Sequence, residues 1–135
     1  MKNIKLIIIT IVISITYSCK AQQISGVQQQ ITIYNNEIIG TWVSNNDPTY
    51  KRVFTNNGTG KICKDYSNGE LTSTYTYTIA TSCGEENAQG FIYLKLVDED
   101  SDEYCFEING INENNSNILS LTGLMRGKIQ LYTKE

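Results

Sequence analysis

Hydrophobic and polar residues alternate along much of the chain after residue 38. In the clearest segment, residues 71–79, Leu, Tyr and Ile lie on one side and threonines lie on the other. Because successive side chains of a β-strand point to opposite faces, such a segment buries one face and leaves its hydroxyl groups outside. Apolar residues do not recur at helical spacing in this part of the chain. The pattern predicts an all-β domain.

Turn signals divide this domain into short strands. Asn57-Gly58 and Asn68-Gly69 favour the left-handed backbone of a tight hairpin turn. The predicted strands are residues 38–44, 49–55, 59–66, 70–80, 91–97, 103–110, 117–124 and 128–134. Short connections make neighbouring strands antiparallel, and eight strands in a meander hide their edges by curling. We therefore expect an eight-stranded antiparallel up-and-down barrel. The alternation assigns these side chains to its interior: Ile92, Leu94, Leu96, Tyr104, Phe106 and Ile108.

The start of the chain has a different pattern. Lys2 and Lys5 lead into an apolar run at residues 6–16. Eleven helical residues span about 17 Å, well short of the roughly 30 Å hydrocarbon core, so the run is typical of a secretion signal. Ser18 directly before Cys19 resembles the lipobox of bacterial lipoproteins, in which the signal is removed and the cysteine is lipidated. Ordinary cleavage near Ala21 is the alternative.

These observations predict three regions. Residues 1–18 are a lipoprotein signal peptide, residues 19–37 are the lipidated Cys19 and a flexible tether, and residues 38–135 are the barrel domain. The tether prediction depends on residues 20–30, which are polar and lack periodicity. Acyl chains such as palmitate on Cys19 would anchor the protein to the outer membrane, on its periplasmic or its surface face.

A second resemblance concerns the barrel itself. Gly40-Thr41-Trp42, in the first predicted strand, resembles the Gly-x-Trp start of lipocalins. The hairpin segments that follow, from Tyr50–Phe54 to Tyr104–Ile108, are similar to the lipocalin-like domains of small bacterial lipoproteins. The resemblance extends to the C-terminus. It implies that Trp42 closes the narrow end of the barrel under a basic side chain from near the last strand, for which Arg126 is the candidate.

The composition excludes several functions. The chain has no histidine, so it can form neither a Ser-His-Asp nor a Cys-His catalytic set, nor a His-ligated zinc site. Eleven basic against 14 acidic side chains argue against nucleic-acid binding, because phosphate binding needs clustered Lys and Arg. We expect no catalytic residues and no cofactor. An enzyme using only carboxylates, such as Glu103 and Glu107, would need them inside the barrel, whereas the predicted register points them outward.

Three cysteines remain after Cys19 is assigned to the anchor. Cys63, Cys83 and Cys105 allow one disulfide, which an exported chain can form under oxidising conditions. Two pairings are favoured, Cys83 with Cys105 and Cys63 with Cys105. The absence of a C-x-x-C pair argues against a redox or zinc-ribbon role.

Residues 98–103 carry carboxylates at alternate positions, as calcium loops do at their start. The sixth position is Glu103 and not Gly, and the twelfth is Asn109 and not Glu, so we expect a solvated hairpin tip and no metal site.

Aromatic side chains are the remaining candidate for function. Those facing inward could line a cavity for a small ligand, or could fill the interior. The candidates for lining are Tyr50, Phe54, Tyr75, Tyr77, Tyr104 and Phe106. We expect a small hydrophobic molecule to bind in the barrel mouth. The alternative is a filled barrel that binds a protein or glycan partner in the envelope through its outer surface and loops.

Overall fold

The computed structural model of the chain describes residues 26–135 and contains a closed antiparallel β-barrel. The strands are β1 Gly40–Ser44, β2 Tyr50–Asn56, β3 Lys61–Ser67, β4 Glu70–Ala80, β5 Tyr93–Val97, β6 Glu103–Ile111, β7 Ile118–Gly123 and β8 Lys128–Lys134. Each strand pairs with the next in the chain, and β1 pairs with β8 to close the barrel. The predicted eight-stranded antiparallel up-and-down barrel is confirmed.

The barrel interior is filled by side chains from alternating positions. Leu94 and Leu96 on β5 and Ile108 on β6 are buried, as their alternation predicts. Phe106 is partly buried against the same core, whereas Tyr104 lies near the start of β6 and is 38% exposed. The largest fully buried side chains are Trp42, Phe54, Ile38, Leu94, Leu96, Leu119 and Leu121.

Residues 26–37 are helical, and we call this helix α1. Its apolar side chains recur at helical spacing and pack against the barrel core: Val27, Ile31, Tyr34 and the following Ile38. The predicted flexible tether is therefore wrong for this segment, because the apolar stripe of α1 is buried on the barrel. Residues 1–25, which include the predicted signal peptide, Cys19 and the first part of the tether, lie outside the described residues.

α1 covers one end of the barrel, which we call the capped end. Lys134 Nζ, at the end of β8, donates to the carbonyl of Glu37 at 3.0 Å. Asn112 Nδ2, after β6, donates to the carboxylate of Glu37 at 2.6 Å. The opposite end, which we call the open end, carries the turns β1–β2, β3–β4, β5–β6 and β7–β8. None of the helical segments in the described part of the chain has the length and apolarity needed to cross a membrane.

A disulfide joins Cys83, in the long β4–β5 connection, to Cys105 on β6. This is one of the two pairings favoured by the sequence. Cys63 on β3 is a free thiol buried inside the barrel. Cys105 lies between two inward-facing positions of β6, so its side chain points outward. The disulfide therefore holds the β4–β5 connection against the outside of the barrel.

Candidate functional site

A buried ion pair lies inside the barrel. Arg52 on β2 and Asp65 on β3 are direct partners in the strand register. Arg52 Nε donates to Asp65 Oδ1 and Arg52 Nη2 donates to Asp65 Oδ2, both at 2.8 Å. The two side chains are 6% and 5% exposed. A two-point bond of this kind compensates part of the large cost of removing two charges from water.

Three aromatic rings surround the guanidinium of Arg52. Its central carbon lies 5.4 Å from the ring centre of Phe106, 5.7 Å from that of Tyr132 and 6.0 Å from that of Tyr50. The Tyr50 hydroxyl donates to Asp65 at 2.5 Å and accepts from Arg52 Nη2 at 3.1 Å. The cation therefore lies in an aromatic cage with one carboxylate.

The pKa values of Tyr50, Tyr132 and Arg52 are all raised in the cage. Burial raises the pKa of Tyr50 and of Tyr132, so both phenols stay neutral far above neutral pH. Burial would lower the pKa of Arg52, but its hydrogen bonds to Asp65, together with the electrostatic effect of Tyr132, Asp65 and Tyr50, outweigh burial and raise this pKa well above its ordinary value. Arg52 is therefore a permanent cation.

One edge of this cation has no hydrogen-bond partner. Among residues 26–135, nothing accepts a hydrogen bond from the buried Nη1 of Arg52. Nε and Nη2 face Asp65, so Nη1 lies on the other edge of the planar guanidinium, directed away from that carboxylate. Buried polar groups are nearly always paired, because an unpaired donor loses its bonds to water without replacement.

Arg52 also forms part of a cavity at the open end. The cavity has a volume of about 330 Å³ and is lined by Ser44, Asn46, Tyr50, Arg52, Phe106, Lys128, Gln130 and Tyr132. This volume lies in the range of small-molecule sites in proteins. Its walls combine aromatic rings with polar groups, and Lys128 places a second cation at its exposed rim.

A second depression of about 360 Å³ lies between β4 and the β5–β6 turn. Tyr75, Tyr104 and the acidic residues 98–100 line it. Asp98 Oδ1 accepts the backbone N–H groups of Asp100 at 3.0 Å and Asp102 at 2.9 Å. Asp98 Oδ2 accepts the hydroxyl of Tyr104 at 3.1 Å. Asp98 therefore organises the turn, and residues 26–135 contain no group of three acidic or cysteine side chains arranged to hold a metal ion.

The predicted lining residues fall into three pairs. Tyr50 and Phe106 line the cavity at the open end, and Tyr75 and Tyr104 line the second depression. Phe54 and Tyr77 are buried in the core, where their rings meet edge to face at 5.2 Å between centres. The middle of the barrel is thus filled, whereas its open end offers space to a ligand.

The closing role assigned to Arg126 is wrong. Arg126 is exposed in the β7–β8 turn at the open end, far along the strand from Trp42. Lys134 takes this place, with its Nζ 5.1 Å from the centre of the Trp42 ring. β8 runs from the open end to the capped end, so the basic side chain that reaches Trp42 lies at the end of β8 and not before its start. Trp42 itself is buried and donates its indole N–H to the carbonyl of Ile38 at 2.7 Å.

Two further buried groups lie next to the ion pair. Burial raises the pKa of the Cys63 thiol to about 12, and the nearby charge of Asp65 acts in the same direction. Burial and the neighbouring Cys63 raise the pKa of Tyr77 to about 12. Both groups are neutral at physiological pH, which makes Cys63 a poor nucleophile. Glu103, considered above as a catalytic carboxylate, is exposed and pairs with Lys95 at 3.1 Å on the outer surface.

Sequence reasoning missed Arg52, Asp65, Tyr132 and Lys134. The signal for the first two was present, because both occupy inward-facing positions of alternating strands, where a charge requires a partner.

The chain matches no protein-family model, no curated protein and no solved structure.

Proposed function

We propose that this protein is a lipid-anchored, lipocalin-like lipoprotein of the bacterial outer membrane that binds a small, largely hydrophobic molecule. The binding site is the cavity at the open end of the barrel. The observation that carries the proposal is this cavity of about 330 Å³, with the rings of Tyr50, Phe106 and Tyr132 in its walls. Aromatic walls with a few polar groups are the usual composition of a small-molecule site.

The filled interior limits the size of the ligand. Phe54, Tyr77 and the leucines of β5 and β7 occupy the barrel below the ion pair, and α1 covers the capped end. A long-chain molecule would have to displace this core. The ligand is therefore a short molecule that enters from the open end and stops at Arg52.

The anchor is supported by the sequence of the first residues. A charged start, an apolar run of eleven residues and Ser18 before Cys19 form the expected order of a lipoprotein signal. Several acyl chains on one cysteine provide the more than one lipid chain that stable anchoring requires.

Native mass spectrometry tests the proposed ligand binding. Residues 26–135 contain every contact described above, so a chain beginning at residue 20 keeps the barrel and α1 but lacks Cys19. This protein is incubated with a lipid and small-molecule extract of the producing cell, and the mass of the retained complex is measured. We expect one small molecule per chain. A bare mass would contradict the proposal.

A pair of neighbouring variants locates the site. Gln130 lines the cavity, whereas Leu131 points outward from β8 and is 41% exposed. Gln130→Trp fills the cavity and should abolish retention, while Leu131→Trp should leave it unchanged. Retention by Gln130→Trp would place the ligand elsewhere.

The alternative function is a filled barrel that binds a protein or glycan partner through its outer surface. The exposed apolar side chains of β8 favour this alternative, since Ile129 and Leu131 are 57% and 41% exposed. It predicts a bare mass in the experiment above and loss of partner binding in Leu131→Trp.

A further inference from the structure

The unpaired edge of Arg52 indicates what kind of polar group a ligand would bring. Nη1 carries two N–H groups, and a guanidinium has no acceptor atoms. A ligand that reaches Nη1 must therefore present an acceptor oxygen or nitrogen. The amino group of Lys128, at the exposed rim of the same cavity, has the same requirement.

The hydroxyl groups of the cage do not accept a hydrogen bond from Nη1 in the structure. The Tyr50 hydroxyl is already bound to Asp65 and Arg52, and the Tyr132 hydroxyl donates to Gln130 at 2.8 Å. Their rings face the cavity as apolar walls. The polar end of a ligand is thus directed to the two cations, and its apolar body to the rings.

The charges of the site favour one negative charge on the ligand. Arg52 and Asp65 neutralise each other, and Lys128 leaves the cavity with one uncompensated positive charge. A neutral ligand would leave this charge unpaired, and a dianion would exceed it. Carboxylates bind guanidinium groups more strongly than neutral carbonyls do, because the acceptor is ionised.

We infer that the cavity at the open end selects small monocarboxylates whose carboxylate accepts hydrogen bonds from Arg52 Nη1 and pairs with Lys128. This inference rests on the proposed function, namely that the cavity holds a small molecule. Nη1 is sealed from solvent, and the Phe106 ring, whose centre lies 5.4 Å from the central carbon of the guanidinium, is the neighbour whose rotation would admit the carboxylate. Phe106 is only partly buried and lines the cavity, which gives its ring room to rotate.

A matched pair of probes tests the inference. 3-Phenylpropanoate and 3-phenylpropanamide share one aromatic body and differ in the charge of the polar end. Calorimetric titration of the chain beginning at residue 20 measures the Kd of each. We expect the carboxylate to bind about tenfold or more tightly than the amide, as charge-assisted hydrogen bonds imply. Lys128→Gln should weaken the carboxylate alone, and Lys95→Gln, on the outer surface, should change neither Kd.

The chain itself contains a control for the role of Arg52. It has two arginines, Arg52 and the exposed Arg126. In protein labelled with ¹⁵N-arginine, the carboxylate should shift the guanidinium resonances of Arg52 and leave those of Arg126 in place. This readout requires no substitution in the ion pair and therefore does not depend on the folding of an Arg52 variant.

The outcomes separate this inference from the proposed function. If both probes bind with equal Kd and Gln130→Trp abolishes both, the cavity holds small molecules but does not select carboxylates, and the inference fails alone. If the carboxylate binds without moving the Arg52 resonances, the assignment to Nη1 fails. If neither probe binds at millimolar concentration, the inference fails, and the extract experiment decides the proposed function by itself.

Discussion

Removing the negative charge of the buried ion pair should strongly destabilise the barrel. Asp65→Asn is nearly isosteric, but it leaves the guanidinium of Arg52 buried without a counter-charge. The variant loses two charge-assisted hydrogen bonds of 2.8 Å and the strong acceptor of the Tyr50 hydroxyl. Breaking a buried pair by removing one partner costs about 3–5 kcal/mol. Domains of this size are stable by only about 5–15 kcal/mol, so about a fifth or more of the stability is lost.

Urea unfolding measures this loss directly. The protein has one tryptophan, Trp42, which is buried in the core, so its fluorescence reports the unfolding of the barrel. With a slope of about 1–3 kcal/mol per M urea, the midpoint should fall by about 1 M or more. Glu135→Gln is the matched control, because it breaks the ion pair between Glu135 and Lys51. The side chains of Lys51 and Glu135 are 37% and 56% exposed. Exposed pairs contribute at most about 1 kcal/mol.

A double variant separates the loss of the pair from the penalty of an unpaired charge. Arg52→Met combined with Asp65→Leu removes both charges and keeps apolar volume in their place. It should be more stable than Asp65→Asn, because neither partner is left charged and buried. A loss below 1 kcal/mol in Asp65→Asn, or a double variant less stable than the single one, would refute the argument.

Four further predictions concern the anchor and the core. Cys19→Ala should move the protein from the membrane fraction to the soluble fraction, and unchanged fractionation would contradict a lipid anchor. Replacing Cys83 and Cys105 by Ser should lower the free energy of unfolding, measured in urea, by about 3 kcal/mol, since the disulfide closes a loop of 22 residues. A loss near zero would mean that other contacts hold the loop. The Cys63 thiol should not react with Ellman's reagent in the folded protein at pH 8. The pKa of Cys63 is about 12 in the folded protein and near 9.0 in the unfolded chain, so the unfolded chain releases the proton first as the pH rises. The free energy of unfolding should therefore fall between about pH 9 and about pH 12. A rise over that range would exclude a buried neutral thiol. Trp42→Ala should cost about 3–5 kcal/mol, and an unchanged Tm would show that Trp42 does not close the core.

The strands could be predicted because each depends on local signals. Alternation gives the buried face, and Asn68-Gly69 forms the expected two-residue turn, with positive φ at both residues and Ser67 facing Glu70. The helix α1 was also visible in principle. Val27, Ile31, Tyr34 and Ile38 repeat at helical spacing among glutamines and asparagines, so the period of the segment indicates a helix where its polar composition indicates a tether.

The ion pair could not be predicted because it depends on the exact register of one hairpin. A two-residue turn at Asn57-Gly58 would place Arg52 opposite Cys63. The structure has a longer turn, with Asn56 facing Lys61, and this slip of two residues places Arg52 opposite Asp65. A shift of two keeps every side chain on the same face, so the alternation is equally satisfied by both registers. The contacts of the cavity, which combine β1, β2, β6 and β8, follow from barrel closure and have no local signal.

The pairing of β1 with β8 determines when the barrel can form during synthesis. The backbone of Glu135 donates to the carbonyl of Thr41, and Trp42 faces Lys134 across the same pair of strands. A growing chain that lacks residues 128–135 therefore has a β1 and a β7 with unpaired backbone groups, which invite association with other chains. Barrel closure must wait until β8 has been made. The incomplete chain therefore has to be kept from associating until its last strand is free to pair with its first.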